Sequence, residues 1–132
     1  MALQLVKCTI PGGQSLSNGI SLAAGRILRI RTPPQWRSAN LTFQCASADV
    51  PADYRDVYRR EGIEVVLQSV QANTVIGLPA DISHWLQEAW IKIRSGHAGT
   101  SVPQPVACEF EFVLLKGQTT ATLLPAMAEE EP

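Results

Sequence analysis

The sequence predicts an all-β protein: a jelly-roll-like antiparallel β-sandwich of about eight strands, with one short helical turn and an extended C-terminal arm. Three observations predict it. Between residues 2 and 116, runs of strand-favouring residues are separated by breaks rich in Gly, Pro, Asn and Asp, which is the punctuation of sandwiches and barrels. Within several runs, apolar and polar residues alternate with the period of two that turns one strand face inward. Helical periodicity is confined to residues 81–86. With 132 residues, the chain is long enough for one domain with a true core. The expected division is a sandwich at 1–117 and an arm at 118–132.

Taken in order, residues 2–10 form the first expected strand, stopped by Pro11-Gly12-Gly13. Residues 15–22 are interrupted by Asn18-Gly19, a pair suited to the positive φ angles of a hairpin turn, so two short antiparallel strands are expected there. Residues 26–31 place Leu28 and Ile30 on one face and Arg29 and Arg31 on the other, ahead of Pro33-Pro34. Residues 40–46 alternate Leu41, Phe43 and Cys45 with Thr42, Gln44 and Ala46. Asp49, Pro51 and Asp53 then mark a loop. Residues 54–58 and 63–68 form an expected hairpin about Arg59-Arg60-Glu61-Gly62, with Tyr54 and Tyr58 on a shared face.

Asp81 is placed to cap a turn in which Ile82, Trp85 and Leu86 share a side. Residues 89–94 turn Ile91 and Ile93 inward and Trp90, Lys92 and Arg94 outward, before a loop at 95–101. The last strand, 106–115, buries Phe110, Phe112 and Leu114 and exposes Glu109 and Glu111. Residues 118–132 lack alternation and end in Glu129-Glu130-Glu131. They are expected to act as an assembly arm whose docking rests on Leu123, Leu124 and Met127.

Composition narrows the function. Charged residues are 17% of the chain, below the roughly 25% of typical domains, which leaves surface for a protein partner to cover. Eleven Lys and Arg face twelve Asp and Glu, so no overall field draws in nucleic acid or an anionic membrane. No apolar run approaches the roughly 20 residues of a membrane helix. The N-terminal stretch lacks the basic start and long apolar core of a signal peptide, and synthesis in a cytosol is expected. Cys8, Cys45 and Cys108 are odd in number and scattered among apolar neighbours; they read as buried thiols, with no metal site and no disulfide framework.

The chain carries little that resembles catalytic chemistry. His84 and His97 are its two histidines, and neither sits in a nucleophile, zinc or calcium motif. His97 reads as an exposed loop residue and His84 as a packing residue on the helical turn. No phosphate-cradling glycine motif occurs. Asp49, Asp53 and Asp56 cluster, but turn geometry and strand exposure account for them better than a pair of hydrolytic carboxylates does. Trp36, Tyr54, Tyr58, Trp85 and Trp90 offer a stacking surface for a sugar ring, with packing as the leading role for most of them. Arg26, Arg29, Arg31 and Arg37 form a local basic group, fitted to cross-strand pairing with Glu109 or Glu111 or to an acidic protein surface.

Three segments in order, Trp36-Arg37-Ser38-Ala39-Asn40-Leu41-Thr42-Phe43-Gln44, Tyr54-Arg55-Asp56-Val57-Tyr58 and Trp90-Ile91-Lys92-Ile93-Arg94-Ser95-Gly96, resemble a set of small tailed-phage virion proteins over residues 14–115. Cys45 and Ala46 depart from the small or β-branched residues of that pattern. The resemblance implies a β-sandwich structural component of the particle: a non-enzymatic capsid decoration or cement protein, without cofactor. Its expected partners are the major capsid protein and further copies of itself, with no nucleic acid and no membrane. Its expected location is the virion, after synthesis in the host bacterial cytoplasm. Arg29, Arg31, Leu123, Leu124 and Met127 are the expected partner-binding residues. The alternative is a receptor- or glycan-binding module of a tail or fibre, marked by an exposed aromatic platform flanked by Asn, Asp or Gln.

Overall fold

The computed structural model describes residues 2–23, 25–86 and 88–116. In chain order the strands are β1 (Ala2–Ile10), β2 (Ile20–Ser21), β3 (Arg26–Arg31), β4 (Ala39–Ala46), β5 (Arg55–Asp56), β6 (Leu67–Val70), β7 (Val75–Gly77), β8 (Trp90–His97), β9 (Thr100–Ser101) and β10 (Cys108–Lys116). A 3-10 turn, Pro51–Asp53, precedes β5, and the helix α1 (Ala80–Trp85) precedes β8. The expected arm at 118–132, with Leu123, Leu124 and Met127, lies outside the described residues.

Two antiparallel sheets make the sandwich, as expected. One has the order β1-β10-β3-β7; the other runs β2-β8-β4-β5, with β6 also on β4 and β9 on β8. β1 and β10 pair without slippage from Ala2↔Lys116 to Ile10↔Cys108. The period of two then fixes the faces: Cys8, Ile10, Phe110, Phe112 and Leu114 point inward and are sealed from solvent. Leu41, Phe43, Ile91 and Ile93 meet them from the second sheet. Trp36 closes one end of this core, edge-on to Phe110 at 5.1 Å, with its indole N–H donating to Val70 O at 2.9 Å.

Several local expectations are corrected. Asn18-Gly19 makes no hairpin, for neither residue has positive φ. The segment runs once along β8, with Ser17 N–H donating to Ile93 O and Leu22 N–H to Ala89 O. The Asn18 side chain reaches sideways instead, accepting the Thr9 N–H at 2.8 Å. Gly19 is needed for close approach, because a Cβ there would collide with the Tyr54 hydroxyl and the Asp49 carboxylate. In β3, Leu28 is an extra residue between the pairs Arg29↔Val113 and Ile27↔Leu114. This bulge shifts the phase, so Ile27 joins Ile30 in the core and Leu28 is only half-buried.

Tyr54 and Tyr58 do not share a face: Tyr54 is buried and Tyr58 exposed. Pairing lasts only through Arg55–Asp56, and Val57 then turns inward. The hairpin about residues 59–62 does form, with Arg59 N–H bonded to Ile63 O, but strand pairing on β4 resumes only at Leu67. The expected loop at 95–101 is instead the end of β8 folded onto β9 about Ala98 and Gly99. Gly96 there has φ +95°, and a Cβ would strike the backbone of residues 100–102. Helix α1 forms as expected, but Pro79 stands at its N-cap, and Asp81, inside the first turn, accepts the Ile82 N–H.

Candidate functional site

The outer face of the first sheet is built from the residues that the period of two turns away from the core. One rung across it reads Leu5, Val113, Arg29, Gly77; another reads Lys7, Glu111, Arg31, Val75. Leu3, Leu5 and Val75 are 51%, 52% and 50% exposed, and Val113 lies half-buried among them. Together with Gln4, Arg29 and Arg31 they line a shallow trough of about 330 Å³. Leu3, Leu5 and Val75 thus leave aliphatic side chains half in water on one sheet face.

The charges on this face are unevenly engaged. Glu111 pairs with Arg31 at 3.3 Å and with Lys7 at 3.8 Å, while Arg29 has no carboxylate within ion-pair distance among the described residues. Such exposed pairs contribute roughly 0–1 kcal/mol each and yield easily to a partner. β1 is also the edge of its sheet. Thr9 directs its N–H and C=O to Asn18, away from β10, so alternation turns the backbone groups of Leu3, Leu5 and Lys7 to the same open side.

A second constellation lies on the other sheet. Arg94 projects from the outward side of β8, yet its side chain is only 9% exposed, because the 55–66 hairpin covers it. Its Nε donates to Thr42 Oγ1 at 3.0 Å, Nη1 to Asp56 Oδ1 at 2.8 Å and Nη2 to Glu64 Oε2 at 2.6 Å. Glu64 also accepts the Ala98 N–H at 3.1 Å. The bond from Arg94, followed by one from Gln44, holds the Asp56 carboxyl below its ordinary range. His97 stands between Asn40 and Glu64. Asn40 Oδ1 accepts the Ser69 N–H, so its amide nitrogen faces His97 Nε2 at 2.8 Å. That nitrogen must accept, which places the ring proton on Nδ1, toward Glu64 Oε1 at 3.5 Å.

The structure thus brings two of the expected residues, Arg29 and Arg31, onto the exposed face; the other three, Leu123, Leu124 and Met127, fall outside the described residues. Arg37 is elsewhere: its backbone N–H and C=O are clamped by the buried Gln104 amide. Asp53 accepts from Ser47 Oγ and from the Ser47 and Ala48 amides, which lower its pKa in a purely local clasp. Asp49 accepts the hydroxyl of Tyr54, whose ring carries Lys92 Nζ at 4.4 Å from its centre. With Trp36 and Tyr54 buried, the five aromatics form no single platform; Tyr58, Trp85 and Trp90 keep partial exposure. His84 is exposed, with its ring edge-on to that of its chain neighbour Trp85, whereas His97, its side chain 42% exposed, is hydrogen-bonded to Asn40 at the end of β8.

Cys8, Cys45 and Cys108 are buried free thiols, with Cys8 and Cys45 pushed up to about 12 by burial. Among the described residues no group of three or more His, Cys, Asp or Glu is placed to hold a metal ion, and no helix is long and apolar enough to cross a membrane. The sequence did not single out Leu3, Leu5, Val75 or Glu64. The signal for Leu3 and Leu5 was their odd-numbered alternation with Val6, Cys8 and Ile10; both faces of that strand are apolar, so periodicity alone could not choose the inner one. Comparisons with protein-family models, curated proteins and solved structures found no match.

Proposed function

We propose that the chain is a non-enzymatic structural protein of a tailed-phage particle, a capsid decoration or cement protein that binds the major capsid protein lattice and further copies of itself. The carrying observation is the exposed aliphatic face of Leu3, Leu5 and Val75 beside Arg29 and Arg31. Its chemistry is that of adhesion: an apolar centre gives non-directional contact energy, and flanking guanidiniums select an acidic partner surface. The ordered resemblance of the segments beginning at Trp36, Tyr54 and Trp90 supplies the particle.

In this reading the sandwich acts as a rivet. Contact area buried between neighbouring capsomers must be lost before the shell ruptures, and a standard interface buries about 1,600 Å². The arm at 118–132 adds a second contact through Leu123, Leu124 and Met127, reaching up to ~50 Å when extended. Mass spectrometry of purified particles, with copy number, tests the assignment, and cosedimentation with capsid shells tests the face. Leu5→Glu and Val75→Glu should each weaken shell binding at least tenfold without changing the circular dichroism spectrum. Absence from purified particles, or shell binding indifferent to both substitutions, overturns the reading.

A further inference from the structure

We propose that the surface around Trp85 is a binding groove for a neutral oligosaccharide, a function separate from adhesion through the first sheet. Two troughs, of about 410 and 420 Å³, flank this residue, and Trp85 lines both. Helix α1 sets it there: Ile82, Trp85 and Leu86 turn toward the core, and the buried Ser83 hydroxyl approaches Ile27 O at 3.4 Å. Trp85 is left half-buried, anchored on one side and open on the other.

The rest of the lining matches a sugar ring. Tyr58, 47% exposed, supplies a second aromatic in one trough, and Ile63 and Ile82 add apolar wall to the other. Aromatic faces complement the C–H face of a pyranose, whose rim of hydroxyls needs fixed donors and acceptors. Those are at hand. Asp56 and Glu64 are held in place by Arg94 while keeping acceptor capacity, and Gln68, Asp81, Arg55 and Arg59 supply further polar groups around them. Each volume falls in the range of small-molecule sites, and because Trp85 lines both, a ligand of two or more linked sugar units is the one that would engage them together.

Charge decides among polar ligands. Asp53, Asp56, Glu64, Asp81 and Glu88 line the troughs, against Arg55 and Arg59, with Arg94 bonded behind them to two of the carboxylates. The excess of carboxylates disfavours phosphate, nucleic acid and acidic sugars. The stacking surface and the hydroxyl-bonding groups are those of a saccharide, and the charge excludes an anionic one; the geometry stands whether or not the chain decorates a capsid.

The test is titration of the full chain with maltotetraose, cellotetraose, N-acetylchitotetraose and sialyllactose, followed by indole fluorescence and by calorimetry, up to 10 mM sugar. At least one neutral tetrasaccharide should saturate and shift the emission, while sialyllactose should not. Tyr58→Ala, at an exposed position, should weaken that binding at least fivefold with an unchanged melting temperature. Trp85→Phe, which keeps a ring in the packing position, should weaken it and abolish the emission shift. No saturation by any neutral tetrasaccharide, a preference for sialyllactose, or binding unaffected by both substitutions overturns the proposal. Shell cosedimentation of Tyr58→Ala should match that of the unaltered chain, which keeps a failure here distinct from a failure of the capsid reading.

Discussion

Arg94→Met tests the electrostatic hub of the second sheet. The substitution keeps an unbranched apolar stem in the same slot and removes the guanidinium, leaving the carboxylates of Asp56 and Glu64 without their common cation. Removing one partner of a buried pair costs about 3–5 kcal/mol. Glu64 falls in that class, its side chain being 11% exposed, whereas Asp56 at 36% is screened by water and adds roughly 0–1 kcal/mol. The Ala98 N–H still serves Glu64, so the lower end applies, about 3 kcal/mol in all. For a chain of this size that lowers Tm by about 10 °C. Urea denaturation followed by circular dichroism gives the free energy directly, from the midpoint at constant m. In the double variant Arg94→Met/Glu64→Met the orphaned carboxylate is gone, and the loss should be at least ~1 kcal/mol smaller than the sum of the single losses. A cost below ~1 kcal/mol for Arg94→Met, or strict additivity of the two changes, would refute the hub.

The remaining predictions concern acid, base, backbone and thiols. Asp53 and Asp56 titrate below their ordinary values in the folded chain, so their stabilisation is present above the unfolded carboxyl pKa of about 3.9 and is lost as pH falls through the lower folded values. Asp56→Asn should flatten the acid limb of a stability–pH curve measured from pH 7 to 2, and an unaltered limb counts against this cause. The Cys8 and Cys45 thiols shift the other way, to about 12. Their contribution is whole below the unfolded thiol value of about 8.5 and wanes as pH climbs toward 12; a disulfide-exchange reagent at pH 8 should find no reactive thiol in the native chain and three after denaturation. Gly96→Ala places a Cβ against the backbone of residues 100–102 at φ +95° and should cost about 2–4 kcal/mol; a melting temperature within 2 °C of the parent rejects the close-approach argument.

How much of this was legible depended on the range of the interactions. Alternation in 26–31, 40–46, 89–94 and 106–115 placed four main strands within two residues at every end but one, β8 running three residues further to His97, because a sheet buried on one face imposes its period locally. It failed where a nonlocal partner altered the phase. The Leu28 bulge answers to the register of β10, and nothing in residues 26–31 announces it. Asn18-Gly19 has the local chemistry of a turn, but the segment bonds to β8 on either side of that pair, at Ser17 and from Ile20 onward, while the Asn18 N–H and side chain both bond to Thr9. Asp81 has the type of a cap, yet the N-cap is Pro79, two residues earlier, and the helix begins at Ala80. On the candidate face, the charged half was readable as Arg29 and Arg31; the apolar half required knowing which side of β1 meets Phe110 and Phe112.

The two sheets divide rigidity and contact between them. Outer residues of the first sheet sit on a long ladder, so Leu3, Leu5, Val113 and Arg29 are held in register by strand pairing along one side of edge strand β1 and both sides of β10. In the second sheet β5 and β9 have two residues each, and ladder bonds alone cannot fix the hairpins that carry Tyr58, Arg59 and His97. Arg94 takes over that work, tying strand β8 to both arms of the 55–66 hairpin through Asp56 and Glu64, while Glu64 holds the β8–β9 turn at Ala98. The bonds of this one buried cation reach three chain segments, at Thr42, Asp56 and Glu64. Its partners Asp56 and Glu64 each line a trough that Trp85 also lines, so the loops walling those troughs are tied back to strand β8.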